Sequence, residues 1–197
     1  MLPAIDALCR EANITVGDIR TVVCGAGPGS FTSLRIAASI AKGIVHANRL
    51  LRSDAVELYA VPSLLFAAAA IEAPGEYLVH ADAMRGERFV QRVRISVSGR
   101  VQPVGATYRA SLRELSALSD GDKEQTVRNV SVVTSVPGSN DGLIVAPAAD
   151  QLFRIDDWQS AGPVNLLQWE PTYGRLAEAQ VKWEATHGTS LPVPVPG

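Results

Sequence analysis

The sequence predicts an α/β protein, and three features of its pattern carry that prediction. Residues 21–24 form a short β-branched run closed by a glycine, which is typical of a strand covered on both faces. A glycine-rich turn follows, and residues 33–46 then repeat their apolar side chains at helical spacing. Residues 77–81 and 87–97 have strand character. Strands and helices therefore share one chain of 197 residues, 47% of them hydrophobic, which is enough apolar material for a buried core.

The first predicted helix covers residues 2–11. Pro3 suits the first turn of a helix, and Asn13 favours an end just beyond it. The apolar residues recur at the spacing of one helical face, and they are Leu2, Ile5, Leu8, Cys9 and Ala12. We therefore expect this helix to present one apolar face.

The second predicted helix covers residues 33–46, with Thr32 as its N-cap because the hydroxyl can accept an unpaired amide of the first turn. It carries a bulky stripe and a small one. The bulky stripe contains Leu34, Ile36, Ile40 and Ile44, and the small one contains Ala37, Ala38, Ala41 and Gly43. A helix that is apolar or small almost all round is normally buried, inside the fold or against a partner.

The polar residues 49–58 predict a linker between two lobes. The N-terminal lobe would cover residues 1–58 and hold both predicted helices. The C-terminal lobe would cover residues 59–197.

Within the second lobe we expect a helix at residues 62–70 and a hairpin whose turn is Arg85-Gly86. A short amphipathic helix at residues 111–118 and a buried strand at residues 130–134 follow. The chain then ends in an extended, mobile tail that contains Pro192, Pro194 and Pro196.

The charge pattern and the apolar runs exclude several classes of protein. A formal charge of −2, with scattered lysines and arginines, lacks the basic stripe that a long nucleic-acid contact needs. The longest apolar stretch, residues 61–71, is shorter than the roughly 20 residues of a membrane-spanning helix. No cationic region precedes a hydrophobic run at the start, so we expect no signal peptide and a cytoplasmic protein. Cys9 and Cys24 predict buried, reduced thiols rather than zinc ligands.

Residues 25–32, with the sequence GAGPGSFT, join the predicted strand to the second helix, and such loops often bind phosphate through backbone amides. A Walker A loop needs a lysine directly after its last glycine, but Gly29 is followed by Ser30 and Phe31. A dinucleotide fingerprint fits weakly, because Ser30 fills its sixth position and Asp54 follows a polar segment. The alternative is structural: the glycines turn the chain and let the helix pack close to the strand. Both interpretations stay open.

The same stretch resembles a known family. Residues 27–36, GPGSFTSLRI, and residues 41–44, AKGI, resemble the GPGSFTGLRIG...AKGL signature of the TsaB (YeaZ) family. Weaker matches occur in the family's order at residues 2–5, 82–87 and 170–175. The similarity thus spans most of the chain.

The resemblance implies a ribonuclease H-like fold of the actin, sugar-kinase and chaperone-ATPase type, with two lobes. It also implies a non-catalytic scaffold that pairs with the TsaD transferase and, with the TsaE ATPase, serves threonylcarbamoylation of the adenosine beside the anticodon of tRNA. On that interpretation the chain has no catalytic residue, metal or cofactor of its own, and a nucleotide binds only at an interface of the assembled complex. The chain reaches tRNA only through that complex, and alone it can form a homodimer.

In this family the first two helices contact TsaD, which implies partner-binding residues on both predicted helices. They are Leu2, Ile5, Leu8 and Cys9 on the first helix, and Leu34, Arg35, Ile36, Ala37, Ile40, Ala41 and Ile44 on the second. The resemblance gives the signature turn a structural role, and its residues are Gly27, Pro28, Gly29, Ser30, Phe31 and Thr32.

The chain departs from the family's pattern at its start. The family opens with a β-hairpin and a third strand ahead of the residues that match 2–5, and these have no counterpart here. We therefore expect an incomplete N-terminal lobe, with an unpaired strand edge at residues 21–24. A mis-assigned start or a fragment explains this more simply than an evolved truncation. Ser33 stands where the family has glycine, and Gly174 where it has leucine.

An enzyme in its own right is the competing hypothesis, as a nucleotide-dependent phosphotransferase that uses the turn at residues 25–32. Metal-dependent proteolysis lacks clustered ligands, because the histidines stand far apart in the sequence, at His46, His80 and His187. Asp82 and Glu87 lie at a strand end and a turn, where a solvated or arginine-paired structural role is favoured.

Overall fold

The computed structural model describes residues 1–51, 56–120, 128–132, 143–174, 183 and 186–188. It is an α/β structure, as predicted. The α-helices of this part are α1 (Leu2–Glu11), α2 (Phe31–Leu51), α3 (Ser63–Ala68) and α4 (Leu112–Asp120). The strands are β1 (Thr21–Gly25), β2 (Glu57–Val61), β3 (Gly75–Met84), β4 (Glu87–Ile95), β5 (Val101–Ser111), β6 (Arg128–Val132) and β7 (Leu143–Val145). Short 3-10 helices lie at Val16–Asp18 and Ala149–Arg154.

The first sheet contains β1 and β2, which run parallel with Thr21 opposite Glu57 and Gly25 opposite Val61. Parallel neighbours need a crossover, and α2 supplies it by packing on the sheet. The packed residues are Cys24, Ala41, Val45, Val56 and Leu58. Among the described residues β1 pairs only with β2, so its other edge carries no strand.

The predicted linker at residues 49–58 is too long at both ends. Residues 49–51 are the last turn of α2, residues 57 and 58 begin β2, and residues 52–55 lie outside the described part. Arg49, which suggested a linker, bonds to backbone instead, because its Nε donates to the carbonyl of Val56 at 2.8 Å. The amide of the neighbouring, buried Asn48 donates to the carbonyls of Val16 and Ile19 at 2.8 and 3.1 Å. The predicted lobe boundary at residue 58 falls within β2, and the division into two lobes stays a prediction.

The second sheet has the order β5-β4-β3-β6-β7. Strands β3, β4 and β5 are antiparallel neighbours, whereas β6 and β7 are parallel to β3. The predicted hairpin across Arg85-Gly86 is confirmed by the pairing of Met84 with Glu87. The predicted helix at 111–118 corresponds to α4, and the strand predicted at 130–134 corresponds to β6, with residues 133 and 134 outside the described part. The predicted proline-rich tail also lies outside it.

Helix α3 and the strands around it form the main core. The predicted helix at 62–70 is shorter than expected, at Ser63–Ala68. It buries Leu64, Leu65, Ala67 and Ala68. Val61 of β2 belongs to the same cluster as Tyr77, Val79, Phe89 and Val93 of the second sheet. The core is therefore continuous from β2 to the second sheet.

Arg154 fastens three separate segments to one another. Its Nη1 and Nη2 donate to the carbonyls of Ala69 and Ile71, just beyond α3, at 2.6 and 2.7 Å. Its Nε donates to the carbonyl of Gly99, in the β4–β5 turn, at 2.9 Å. One guanidinium thus satisfies backbone acceptors of two loops from the end of a 3-10 helix.

The longest described helix is α2, with 21 residues. No helix in the described part of the chain, α2 included, combines the length and the apolar character that crossing a membrane requires.

We predict that Arg154→Met lowers the free energy of unfolding by about 2–4 kcal/mol, because three backbone carbonyls lose charged donors. Urea unfolding measures it. Arg10→Met is the control, since Arg10 pairs with Asp6 on α1 with its side chain 79% exposed, and it should cost less than about 1 kcal/mol. Equal effects of the two substitutions would contradict the role given to Arg154.

His80 is 7% exposed on β3. Burial, and secondarily the charge of Arg88, lower the pKa of its imidazole from 6.5 to about 4. Between these two values the unfolded chain binds a proton that the folded chain does not.

We predict that stability falls as the pH drops from about 6.5 towards 4, and that His80→Gln flattens this part of the profile. Above pH 6.5 the imidazole is neutral in both states, so it contributes no slope there. Melting temperatures at pH 7, 6 and 5 for both proteins test this. Parallel profiles would show that other groups cause any acid destabilisation.

Candidate functional site

The turn between β1 and α2 is closed against the protein itself. Gly27 and Pro28 are buried, and Gly27 has a φ of 98°. The Gly27 amide donates to Ser63 Oγ at 2.9 Å, and the Gly27 carbonyl accepts from the Ser63 amide at 2.8 Å. The Ala26 amide donates to the carbonyl of Val61 at 2.7 Å. These two amides are therefore committed to the start of α3 and the end of β2.

The returning C-terminal segment, residues 170–174, covers the same turn. The Thr172 amide donates to the carbonyl of Ala26 at 2.7 Å. A Cβ on Gly27 would lie 2.0 Å from the Thr172 carbonyl oxygen. A Cβ on Gly174 would lie 2.5 Å from the Phe89 ring and 2.8 Å from Pro28. Because residues 27 and 174 are glycines, the turn, β4 and the C-terminal segment can touch one another. Gly174 stands where the TsaB family has leucine.

Helix α2 begins at Phe31, so the predicted N-cap Thr32 is wrong. Thr32 lies in the first turn and is exposed. The Ser30 carbonyl accepts from the Leu34 amide at 2.9 Å, while Ser30 Oγ makes only a long contact of 3.5 Å with the Ser33 amide. Ser30, whose carbonyl accepts this first helical bond, therefore precedes the helix directly, and the Phe31 ring of the first turn packs with its centroid 4.4 Å from that of Tyr173.

The structure separates the predicted partner-binding residues of α1 into two groups. Leu2 and Leu8 are 58% and 64% exposed. Ile5 is half-buried, whereas Cys9 is buried. Among described side chains of α1, only Cys9 is buried, so the apolar face of this helix is largely at the surface.

The predicted partner-binding residues of α2 are also divided between exposed and buried positions. Ile36 and Arg35 are exposed, and Ala37, Ile40 and Ile44 are half-buried. Leu34 and Ala41 instead belong to the inward stripe of the helix, which contains Leu34, Ala38, Ala41, Val45 and Asn48. Both helices contact the 3-10 helix Val16–Asp18.

A cavity of about 300 Å³ lies beside α2, between the helix and the C-terminal segment. Its lining residues are Phe31, Arg35, Ala38, Ser39, Lys42, Glu170, Pro171 and Tyr173. Of the predicted partner-binding residues it contains only Arg35. Sequence reasoning missed Lys42, Glu170 and Tyr173 as site residues, although all three lie within segments that carry the family resemblance.

The side chains with possible catalytic roles are held in structural contacts. Asp82 lies 3.7 Å from Arg88, and Glu87 lies 3.1 Å from Arg109, which confirms the arginine-paired interpretation of both. Within the described ranges no group of at least three His, Cys, Asp or Glu residues is placed to hold a metal ion. Cys9 and Cys24 are buried free thiols, as predicted, and burial raises the pKa of Cys24.

A family model and two solved structures are similar to this chain. The family model described as "TsaD: tRNA N6-adenosine threonylcarbamoyltransferase" matches residues 1–116. A Pseudomonas aeruginosa structure described as an uncharacterized protein with similarity to peptidase YEAZ has a TM-score of 0.67 at 20% identity, over 88% of this chain and 82% of that one. YeaZ from the same organism has a TM-score of 0.66 at 20% identity, over 87% and 82%. No curated protein matches the chain. The ribonuclease H-like fold implied by the resemblance is confirmed.

We predict that Gly27→Ala destabilises the protein by at least about 2 kcal/mol more than Gly86→Ala does. Both positions have positive φ, so both variants carry backbone strain of about 1–2 kcal/mol. Only at Gly27 would the methyl group also strike a carbonyl oxygen, since nothing lies within 4 Å of a Cβ at Gly86. Thermal unfolding of the two variants makes the comparison. Equal losses would show that the turn is not closely packed.

Proposed function

This chain belongs to the TsaD family, whose described activity is that of a tRNA N6-adenosine threonylcarbamoyltransferase, and we propose that it acts as a non-catalytic scaffold subunit of this tRNA modification. The resemblance to the TsaB (YeaZ) proteins is confirmed by the family match together with the fold of the YeaZ structures. As a scaffold, the chain binds a TsaD-like transferase through α1 and α2.

The exposed apolar surface of these two helices is the observation that carries the proposal. Leu2, Leu8 and Ile36 are 58%, 64% and 49% exposed. Large apolar side chains grouped at the surface are a common sign of a protein contact. A leucine side chain that a partner buries contributes about 1.5–3 kcal/mol to the free energy of binding through the hydrophobic effect.

The turn at residues 25–32 supports a scaffold better than the phosphotransferase hypothesis. Phosphate binding by such a turn uses free backbone amides. Here the amide of Gly27 is bonded to Ser63 Oγ, and the carbonyl oxygen of Thr172 fills the space beside its Cα. A phosphate at Gly27 would have to displace both contacts.

The remaining partners follow from the resemblance. We propose that a TsaE-like ATPase joins the complex, that tRNA is reached only through it, and that the site of action is the cytoplasm. The subunit needs no cofactor of its own, and a nucleotide would bind only at an interface of the assembly. A homodimer is the state proposed for the chain alone.

We predict that Leu8→Asp and Ile36→Asp each weaken binding to the TsaD-like protein of the same genome by about 2 kcal/mol or more, because an unpaired charge would be desolvated at the contact. Calorimetric titration measures the dissociation constants. Val97→Asp is the matched control, since Val97 is 94% exposed in the β4–β5 turn and lies outside both helices.

If the wild-type chain forms no complex with the TsaD-like protein, the proposed role is wrong. Turnover of a substrate by the purified subunit alone would contradict its non-catalytic part. If Leu8→Asp and Ile36→Asp both bind with the wild-type dissociation constant, α1 and α2 do not form the interface.

A further inference from the structure

The cavity beside α2 contains more positive than negative charge. Arg35 and Lys42 line it, with Ser39 between them on the helix, and among the described residues Glu170 is the single acid of the lining. In the part of the chain that the structure describes, neither cation lies within ion-pair distance of a carboxylate. The described lining residues, two cations and one carboxylate, leave one positive charge in excess.

Aromatic rings hold both cations in position. The guanidinium carbon of Arg35 lies 5.4 Å from the centroid of the Phe31 ring. Lys42 Nζ lies 5.8 Å from the centroid of the Trp169 ring. These contacts attract the cations and restrict their side chains before any ligand arrives. An anion that enters the cavity therefore meets charges that are already placed.

The cavity also adjoins the exposed apolar residues of α2. Ile36 follows Arg35 directly, and the half-buried Ile40 lies one helical turn further on. Protein interfaces commonly combine an apolar centre with a polar rim. The row formed by Arg35, Ser39 and Lys42 has the position of such a rim beside the surface that binds the transferase.

We propose that this cavity receives an acidic side chain of the TsaD-like partner, whose carboxylate is held between Arg35 and Lys42. The inference rests on the proposed function, because it names the chemistry of the partner's contact. A single carboxylate matches the single excess positive charge, and its short apolar stem can pack against Phe31 and Pro171. The cavity adjoins the exposed apolar Ile36 rather than an extended row of cations, which favours a protein side chain over an RNA backbone.

Charge reversal on α2 tests the proposal. The dissociation constant for the TsaD-like protein is measured at low and high salt for the wild type, Arg35→Glu, Lys42→Glu and the double variant. Each single variant should weaken binding by about tenfold or more at low salt, and the double variant should lose most of the salt dependence. Arg113→Glu on α4 is the control, because Arg113 is an exposed arginine outside the cavity. Circular dichroism and melting temperature verify that each variant is folded.

Two further measurements distinguish other occupants. Inorganic phosphate and a short RNA oligonucleotide are titrated against the free chain, and the mass of the free chain in solution is measured for every variant. If the free chain binds phosphate or RNA, and Lys42→Glu abolishes that binding without changing the affinity for the partner, the cavity is a phosphate site and the proposal is wrong. A homodimer that dissociates in the variants while partner affinity is unchanged would assign the cavity to a second copy.

Failure of this inference differs from failure of the proposed function. Suppose that the wild type binds the partner and that Leu8→Asp weakens this binding. If folded Arg35→Glu and Lys42→Glu then bind with the wild-type dissociation constant, only the acidic contact is overturned. If the wild type does not bind at all, both proposals fall. Acidic residues of the partner are then changed to lysine one at a time. The change that restores binding to the Lys42→Glu variant identifies the side chain that enters the cavity.

Discussion

Gly27 and the carbonyl of Thr172 approach so closely that no side chain fits between them, and the junction of the β1–α2 turn with the C-terminal segment depends on that approach. The Thr172 amide bonds to Ala26, Gly174 meets Phe89 and Pro28, and the first ring of α2 packs on Tyr173. The contact thus joins the β1–α2 turn, through residues 172–174, to Phe89 of the second sheet. It also puts Glu170 and Tyr173 opposite the cation row.

Local pattern was enough for elements whose signals agree along a few residues. The bounds of α1 match the prediction at both ends, because helical apolar spacing, an early proline and a polar stop all coincide. The hairpin at Arg85-Gly86 was predicted for the same reason. The linker prediction began too early because Arg49 is polar for a tertiary reason: its side chain bonds to the backbone carbonyl of Val56. Strand β5 was missed because it contains Pro103 and Gly105 and is exposed along most of its length, so it shows no alternation.

The candidate site was predictable only in part, since periodicity does not say which face of a helix the rest of the chain covers. Cys9, Leu34 and Ala41 satisfied the helical pattern as well as Leu8 and Ile36 did, yet they are buried. The cavity was out of reach for a different reason. Lys42 and Glu170 come from distant parts of the chain, and only the return of residues 170–174 to the β1–α2 turn brings them together. The resemblance marked both segments without indicating that they meet.

The joining of an early turn to a late segment also has a consequence for synthesis. A nascent chain releases β1 and α2 from the ribosome well before Thr172 exists, so Ala26 lacks its late hydrogen-bond donor until residue 172 has been synthesised. The parallel β1–β2 unit can assemble in that interval, whereas closure of the junction depends on contacts of very large sequence separation, which form slowly. Chaperones that hold nascent chains would therefore encounter a first sheet whose main glycine turn is still open to water.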